Sequence, residues 1–372
     1  MIQNVFILGA TGNVGKELVT QIMEKGDTDY GIHVNPTRII GLASSKEFVY
    51  LKEGISSKNA FKFINRNSEN SKIYRSLKEI LYAINKDKEI YNKNKLVFID
   101  VTALKGQEIN DFHLNIVKNT DFDLVTANKN PISLGDFKLF QELTQNPLKY
   151  GYRCTVMAGA DTVSLLQDLR DVSDPIHSIE GCFSGTLGYI TSELEKNISF
   201  SEIVKNAYSK GYTEPHPRDD LNGLDVARKI LILTRGMGYN LNMSDLKVEP
   251  LVPEKLLRED DPNLFLESLK SLNDEYMRKI KNAQKNGNTL RYVGEIIIKN
   301  KKEEINIKLK EVPISSPLGS LQGTLNKIVV QSDYYNPLYA IEAPGAGVEI
   351  TASNIRRNLL YLLDGRRFLL KH

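Results

Sequence analysis

Three observations predict an α/β protein built on a doubly wound parallel sheet and followed by an α+β region. An apolar, β-branched run at residues 5–8 meets the glycine turn GATGNVG and then a stretch in which Val14, Leu18, Ile22 and Met23 recur at helical spacing. A second run, TRIIGLA at residues 37–43, follows at the distance of one βαβ unit. Three further runs, LVFIDVTA (96–103), DLVTANKN (123–130) and RCTVMAGA (153–160), alternate with helical patterns, as the strands of a parallel sheet do. The sheet is expected to end near residue 150, giving a first domain of residues 1–150.

The elements follow in order. The first run and the turn after it read as strand, turn and helix. The Asn- and Lys-rich stretch 46–95 carries weak helical patterns and is expected to wrap the edge of the sheet. Beyond residue 150, helical patterns dominate at 161–170 and 200–239, with strand-like pieces at 179–183, 292–298 and 304–309. Segment 254–287 is charged and periodic, the pattern of a solvated helix pair. The tail NIRRNLLYLLDGRRF is an amphipathic helix too short to fold alone, so it must dock on something.

Composition narrows the function. At 372 residues the chain exceeds what a single core of roughly 250–300 residues accommodates, so more than one domain is expected. A net charge of +3 is too small for a nucleic-acid or polybasic membrane surface, which leaves a small molecule as the expected partner. Two cysteines without a CxxC pair indicate neither a disulfide framework nor structural zinc. Cys154 and Cys182 read by default as small buried hydrophobes. The five histidines form no HExxH spacing, so no catalytic zinc is expected. The N-terminus has no basic n-region and no apolar run approaches about 18 residues. Neither a signal peptide nor a transmembrane span is expected, and a cytoplasmic location fits.

Gly9, Gly12 and Gly15 stand directly after a strand and open a helix, where glycine lets the backbone turn tightly and a pyrophosphate approach free N–H groups. The GxxGxxG spacing is one residue longer than the usual dinucleotide fingerprint, and a plain βα glycine turn is the alternative. Thr11, Asn13 and Val14 complete this Rossmann-type turn. The second strand ends Leu42-Ala43-Ser44-Ser45-Lys46, without the acid that usually grips a ribose 2′-hydroxyl. Two hydroxyls and a lysine tolerate a 2′-phosphate, so NADP is admissible beside NAD. Thr102 and Lys129 fall at the carboxyl ends of predicted strands, where open α/β sheets bind ligands, although a lone loop lysine is more often a solvated charge.

GYTEPHPRDDLNGLDVARK, residues 211–229, has two readings. As a capped surface helix, Asn222 is the N-cap, Asp225 stands at N3, and Asp225 with Lys229 forms an i, i+4 pair of roughly a few tenths of a kcal/mol. As a site, Asp225 and Lys229 lie in an apolar setting where burying a charged pair costs several kcal/mol. Pro215 and Pro217 then keep Glu214, Asp219 and Asp220 in an extended loop aimed at one pocket. The site reading is preferred, because perturbed charges cluster at functional sites.

With the glycine turn, TANKNP and this segment in view, the chain resembles the homoserine dehydrogenases almost end to end, including FSGTLGYI (183–190), LRYVG (290–294) and APGAGVEITA (343–352). The resemblance implies interconversion of L-homoserine and L-aspartate 4-semialdehyde with NAD or NADP, on the route to threonine, methionine and isoleucine. It implies a substrate and dimerisation domain at 151–325 and a C-terminal segment, 326–372, that returns to the first domain. Lys229 matches the proton-transferring lysine, Asp225 the substrate-binding aspartate, and Glu214 the carboxylate for the substrate ammonium. Tyr212, Thr186 and Asp220 line the same pocket; Lys129 lies close to nicotinamide and substrate; Gly211 and Gly347 supply backbone contacts to the cofactor. A monovalent cation, Na+ or K+, would take the carbonyls of Val156, Ala158 and Ala160, but Arg153 stands where the family usually has glutamate. His216 and Gly188 are further departures that touch no proposed chemistry.

The resemblance also leads one to expect a homodimer or larger assembly, since strands such as 292–298 otherwise leave an exposed edge. Neither a kinase domain before the run at 5–8 nor room for a regulatory domain after Phe368 is expected. Two rivals share part of the pattern. Aspartate-semialdehyde dehydrogenase has a similar glycine opening but needs a cysteine nucleophile; a non-catalytic NADP sensor needs no acid–lysine cluster.

Overall fold

A computed structural model describes residues 1–33, 35–68, 70–91, 94–299 and 302–363. The chain divides into two compact units, one of residues 1–159 together with 347 onward, the other of residues 160–346.

The first unit is a seven-stranded sheet of β1 (Gln3–Leu8), β2 (Thr37–Ala43), β3 (Glu47–Tyr50), β4 (Lys72–Ile73), β5 (Lys95–Asp100), β6 (Asp123–Thr126) and β7 (Tyr150–Gly151). Its order is β4-β3-β2-β1-β5-β6-β7. From β2 to β7 the pairing is parallel, with Val5 of β1 opposite Ile39 and Val97. Every residue of β1 is buried, as expected of a parallel strand covered on both faces. Val5, Ile7, Val97 and Ile99 share a core with Leu18, Val19 and Ile22 of helix Asn13–Glu24 and with Ala352, Ile355 and Leu359 of helix Val348–Tyr361. Each buried Val, Leu or Ile among them contributes roughly 1.5–3 kcal/mol by leaving water. The tail helix therefore docks on the first unit, and Arg356 fastens it with two 2.6 Å hydrogen bonds to Asp27. Residues 364–372, the last part of the tail and the place of Phe368, lie outside the described residues.

The structure corrects several expectations. Stretch 46–95 adds β3 and β4 as antiparallel strands, so the sheet is mixed rather than wholly parallel. The run 153–160 is no strand: it forms two 3-10 turns in which Met157, Ala158 and Gly159 take positive φ. An apolar run alone does not distinguish a buried strand from a buried turn. The first unit accordingly extends to Gly159 rather than 150, and the chain returns to it at Gly347 rather than 326. Residues 326–344 fall short of that return because they pair within the second sheet.

The second unit holds β8 (Ile176–Cys182), β9 (Lys247–Val248), β10 (Asn288–Lys299), β11 (Lys302–Pro313), β12 (Leu325–Ser332) and β13 (Tyr339–Pro344), in the order β13-β12-β8-β10-β11-β9. Residues 292–298 belong to β10, which pairs with β11 along its length and with β8 at 294–297, so it is not an edge strand. Segment 254–287 is more buried than expected, with Phe265, Leu269, Tyr276 and Ile280 in the core. Gly294 of β10 lets helix Leu224–Gly236 approach closely, since a Cβ there would lie 2.5 Å from Ile230 Cγ1. Among the described residues, no helix is long and apolar enough to cross a membrane.

Candidate active site

In the second unit the chain bends from the helix Phe200–Ser209 through Gly211, at φ +69, into the loop that carries Tyr212 and Glu214. Pro217 then opens the short helix Arg218–Leu221, and Arg218 holds this turn by donating to Glu259 O at 2.6 Å and Asp260 Oδ1 at 2.8 Å. The next helix, Leu224–Gly236, has Gly223 as its N-cap at φ +75. Asn222 is therefore not the N-cap and Asp225 is not at N3. Asn222 instead accepts from Leu224 N at 2.8 Å, and a left-handed residue after it suits glycine. A Cβ on Gly223 would lie 2.0 Å from Tyr292 Oη, which accounts for glycine at 223 and ties LRYVG to this turn.

The i, i+4 pair forms, with Lys229 Nζ 2.9 Å from Asp225 Oδ2. It is not a surface pair, because Lys229 is only 6% exposed. The ammonium also donates to the carbonyl of Phe183 at 2.5 Å. Phe183 lies between β8 and helix Gly185–Leu194, whose N-cap Ser184 accepts from Leu187 N. Desolvating a lysine this far costs several kcal/mol, which one half-exposed carboxylate offsets poorly. The arrangement is thus a weak device for stability and a strong one for holding an amine at a fixed point.

Asp220 organises the acids. It accepts from Glu214 N at 2.8 Å and from Thr186 Oγ1 at 2.9 Å. Thr186 also reaches Tyr212 O at 2.5 Å, which joins the loop to helix Gly185–Leu194. Tyr212 packs edge-on against Tyr189, and Glu214 stays exposed at the rim. The structure thus brings Thr186, Tyr212, Glu214 and Asp220 together in the unit that holds Asp225 and Lys229.

Burial pushes the Asp220 carboxyl up to about 6; the hydrogen bonds from Glu214 and Thr186 oppose the rise, and the Glu214 and Asp225 charges add to it. Between the ordinary value of 3.8 and about 6, the native state holds a proton that the unfolded chain has released. The stability contributed by this group therefore falls as pH rises through that window. Asp220→Asn, a neutral isostere, is expected to melt above the wild type at about pH 7 and level with it at about pH 4. Identical pH dependence of melting in both proteins would remove Asp220 from this role.

In the first unit, Gly9 takes φ +81, Gly12 is the N-cap of helix Asn13–Glu24, and no side chain caps that helix. Thr11, Asn13 and Val14 lie in the same turn. A Cβ on Gly9 would lie 3.1 Å from Thr102 Cγ2, so Thr102, just beyond the carboxyl end of β5, flanks the turn. After β2, Ser44 Oγ accepts from Lys46 N and Glu47 N, while Ser45 and Lys46 are exposed. Lys129, half-buried, precedes helix Asn130–Leu134 and accepts from Ser133 through its carbonyl. Gly347 is the N-cap of helix Val348–Tyr361.

The carbonyls expected at a cation already have donors. Asn354 Nδ2 donates to Ala158 O at 2.8 Å, Gly159 N to Val156 O at 3.1 Å, and Thr162 N to Ala160 O at 2.6 Å. Val156 and Ala158 belong to the first unit and Ala160 to the second. Arg153 stacks its guanidinium 3.5 Å from the Tyr361 ring centroid. Among the described residues, no group of three His, Cys, Asp or Glu side chains is placed to hold a metal. Burial pushes both cysteine thiols, Cys154 and Cys182, up to about 12, so neither is a thiolate near neutral pH.

Sequence reasoning missed the Phe183 carbonyl, a backbone group that leaves no mark in composition.

A glycine-turn sheet unit joined to an α+β unit in which acids gather around a buried lysine defines a two-domain protein of dehydrogenase architecture. The family model of homoserine dehydrogenase matches residues 162–360. The chain is 32% identical over 376 residues to the homoserine dehydrogenase of Schizosaccharomyces pombe, covering 97% of this chain and 95% of that one. The chain belongs to the homoserine dehydrogenase family. It is also 32% identical over 365 residues to the bifunctional aspartokinase/homoserine dehydrogenase of Buchnera aphidicola, covering 97% of this chain but 43% of that protein. It spans less than half the length of the bifunctional relatives it matches. Among solved structures, a Candida auris protein of unknown function superposes with a TM-score of 0.85 at 27% identity, covering 98% of this chain and 99% of that one. A hyperthermophilic archaeal homoserine dehydrogenase in complex with NADPH shares the fold, with a TM-score of 0.70 at 19% identity and 97% of each chain covered.

Proposed function

We propose that the chain interconverts L-homoserine and L-aspartate 4-semialdehyde by hydride transfer with NADP or NAD, within threonine, methionine and isoleucine biosynthesis. The observation that carries this reading is Lys229, buried and held between Asp225 and the Phe183 carbonyl. In the oxidative direction the substrate C–H hydride passes to the nicotinamide and its hydroxyl proton to the neutral amine of Lys229. In the reductive direction the Lys229 ammonium polarises the aldehyde oxygen and returns that proton. Asp225 orients the amine, and Glu214 with Asp220 receives the substrate ammonium beside Thr186 and Tyr212. Lys129 and Thr102 serve the nicotinamide end.

The uncapped N-terminus of helix Asn13–Glu24, entered through Gly9 and Gly12, suits a pyrophosphate. Gly211 and Gly347 are assigned backbone contacts to the cofactor on the family resemblance. The exposed ammonium of Lys46, beside Ser44 and Ser45, suits a 2′-phosphate, and the archaeal relative was solved with NADPH. Lys46→Ala is expected to raise KM for NADP several-fold while leaving that for NAD nearly unchanged. Equal losses for both take Lys46 out of the site. No step of this chemistry needs the cation. The chain is further read as a cytoplasmic homodimer or larger assembly, and light scattering that shows only a 42.0 kDa species refutes the assembly. The reading as a whole is tested by assaying both nicotinamides with both substrates from neutral to alkaline pH. A folded sample with no turnover in either direction sinks it.

A further inference from the structure

Asp100, the last residue of β5, is wholly buried, and the proposed chemistry leaves it unused. Its Oδ1 accepts from Thr102 N at 2.9 Å and Thr102 Oγ1 at 2.7 Å. Its Oδ2 accepts from Asn128 Nδ2 at 3.1 Å and lies 3.0 Å from His113 Nε2. His113, also wholly buried, places Nδ1 2.9 Å from the hydroxyl of Tyr150. The carboxylate can only accept, so Nε2 carries a proton toward it, and the Tyr150 hydroxyl is the partner of Nδ1. Burial holds the Tyr150 phenol well above its ordinary value, so it keeps its proton. A charge so deep persists only when its lone pairs are met, and four donors meet them here.

The donors come from two loops. Asn128 Nδ2 also donates to Leu104 O at 2.9 Å, and Asn130 Nδ2 donates to Ala103 O and Leu104 O. Asn128 Oδ1 accepts from Asn130 N at 3.0 Å. Loops 101–104 and 127–130, at the carboxyl ends of neighbouring parallel strands, are thus stitched together around one carboxylate. Thr102 rides on the first and Lys129 on the second.

We propose that Asp100 and His113 are positioning residues that lock these two loops, and with them Thr102 and Lys129, in the geometry that receives the dinucleotide. The inference rests on the reading of the first unit as the dinucleotide site. His113 acts through Asp100 and touches no substrate. If it only filled space, any side chain of similar volume would serve.

The test compares His113→Leu, which removes the N–H, with His113→Gln, which returns an N–H toward Asp100. NADPH affinity is read from the fluorescence of the bound cofactor, and exchange of the Thr102 and Asn130 amides is followed by NMR. His113→Leu is expected to raise the Kd for NADPH about tenfold and to speed both amides by a similar factor. His113→Gln should return both to within about threefold of wild type, at a melting temperature close to that of the Leu variant. Native affinity and exchange in His113→Leu, or equal impairment in both variants, overturns the proposal. Should His113→Leu not fold, Tyr150→Phe, which deletes one hydroxyl, is expected to raise Kd about threefold, and an unchanged Kd overturns the proposal instead. Neither readout needs turnover. A chain that behaves this way yet leaves homoserine untouched sinks the proposed activity alone, whereas a wild type that binds neither NADPH nor NADH sinks both.

Discussion

Lys229→Ala is expected to lower turnover by roughly 10²- to 10⁴-fold in both directions, the usual worth of a positioned acid or base. Dinucleotide affinity should change by less than about threefold, because the loss falls on proton transfer rather than on binding. The exposed-pair reading of the same residues predicts a cost of only a few tenths of a kcal/mol and nearly intact turnover. Burial separates the two, since an exposed i, i+4 lysine does not reach a carbonyl on another element, as Lys229 reaches that of Phe183. Stability alone is a poor discriminator, because Ala also removes the buried stem. Lys229→Met, which keeps the stem, should melt near the wild type and be as inactive as Lys229→Ala. Either variant turning over at the native rate would leave Lys129 as the lysine to examine for proton transfer.

The legible parts of the molecule were those where one local pattern has one physical meaning. An apolar run that meets a glycine turn and then a helical period admits little besides strand, turn and helix, and β1 with helix Asn13–Glu24 is what formed. Two prolines, a block of acids and an i, i+4 pair entering an apolar helix likewise marked residues 211–229, though the helix start moved by one residue to a left-handed Gly223. Illegible parts depended on partners distant in sequence. RCTVMAGA looks like a buried strand, yet Asn354 holds the Ala158 carbonyl from almost 200 residues away, and the backbone turns through positive φ to meet it. β3 and β4 are only four and two residues long, too short to stand out as strands, and they pair along an edge of the sheet. His113 reads as an ordinary polar residue on an amphipathic helix until Asp100 and Tyr150 close on it from two strands.

The glycine turn at residues 9–15 admits an equally sharp prediction. Gly15 is the third residue of helix Asn13–Glu24, and the turn before it folds back onto that first helical turn. A Cβ built on Gly15 would lie 2.2 Å from Gly9 O, 2.7 Å from Ala10 Cα and 2.9 Å from the Ala10 carbonyl carbon. All three are backbone atoms with no rotamer to swing aside, so Gly15→Ala must displace the turn itself. Forced overpacking of this kind costs roughly 1–3 kcal/mol. The same displacement moves the N–H groups expected to meet the pyrophosphate. Losing one such charge-assisted hydrogen bond is worth roughly 1.5–3 kcal/mol, or about 10- to 10²-fold in affinity. Gly15→Ala is therefore expected to melt a few degrees lower and to bind NADP and NAD equally badly, whereas Lys46→Ala should distinguish them. At saturating dinucleotide its kcat should recover most of the native value, because Lys229 and the acids lie on other elements. A folded Gly15→Ala chain with native affinity for both nicotinamides would mean that residues 9–15 are a packing turn and that the cofactor is held elsewhere.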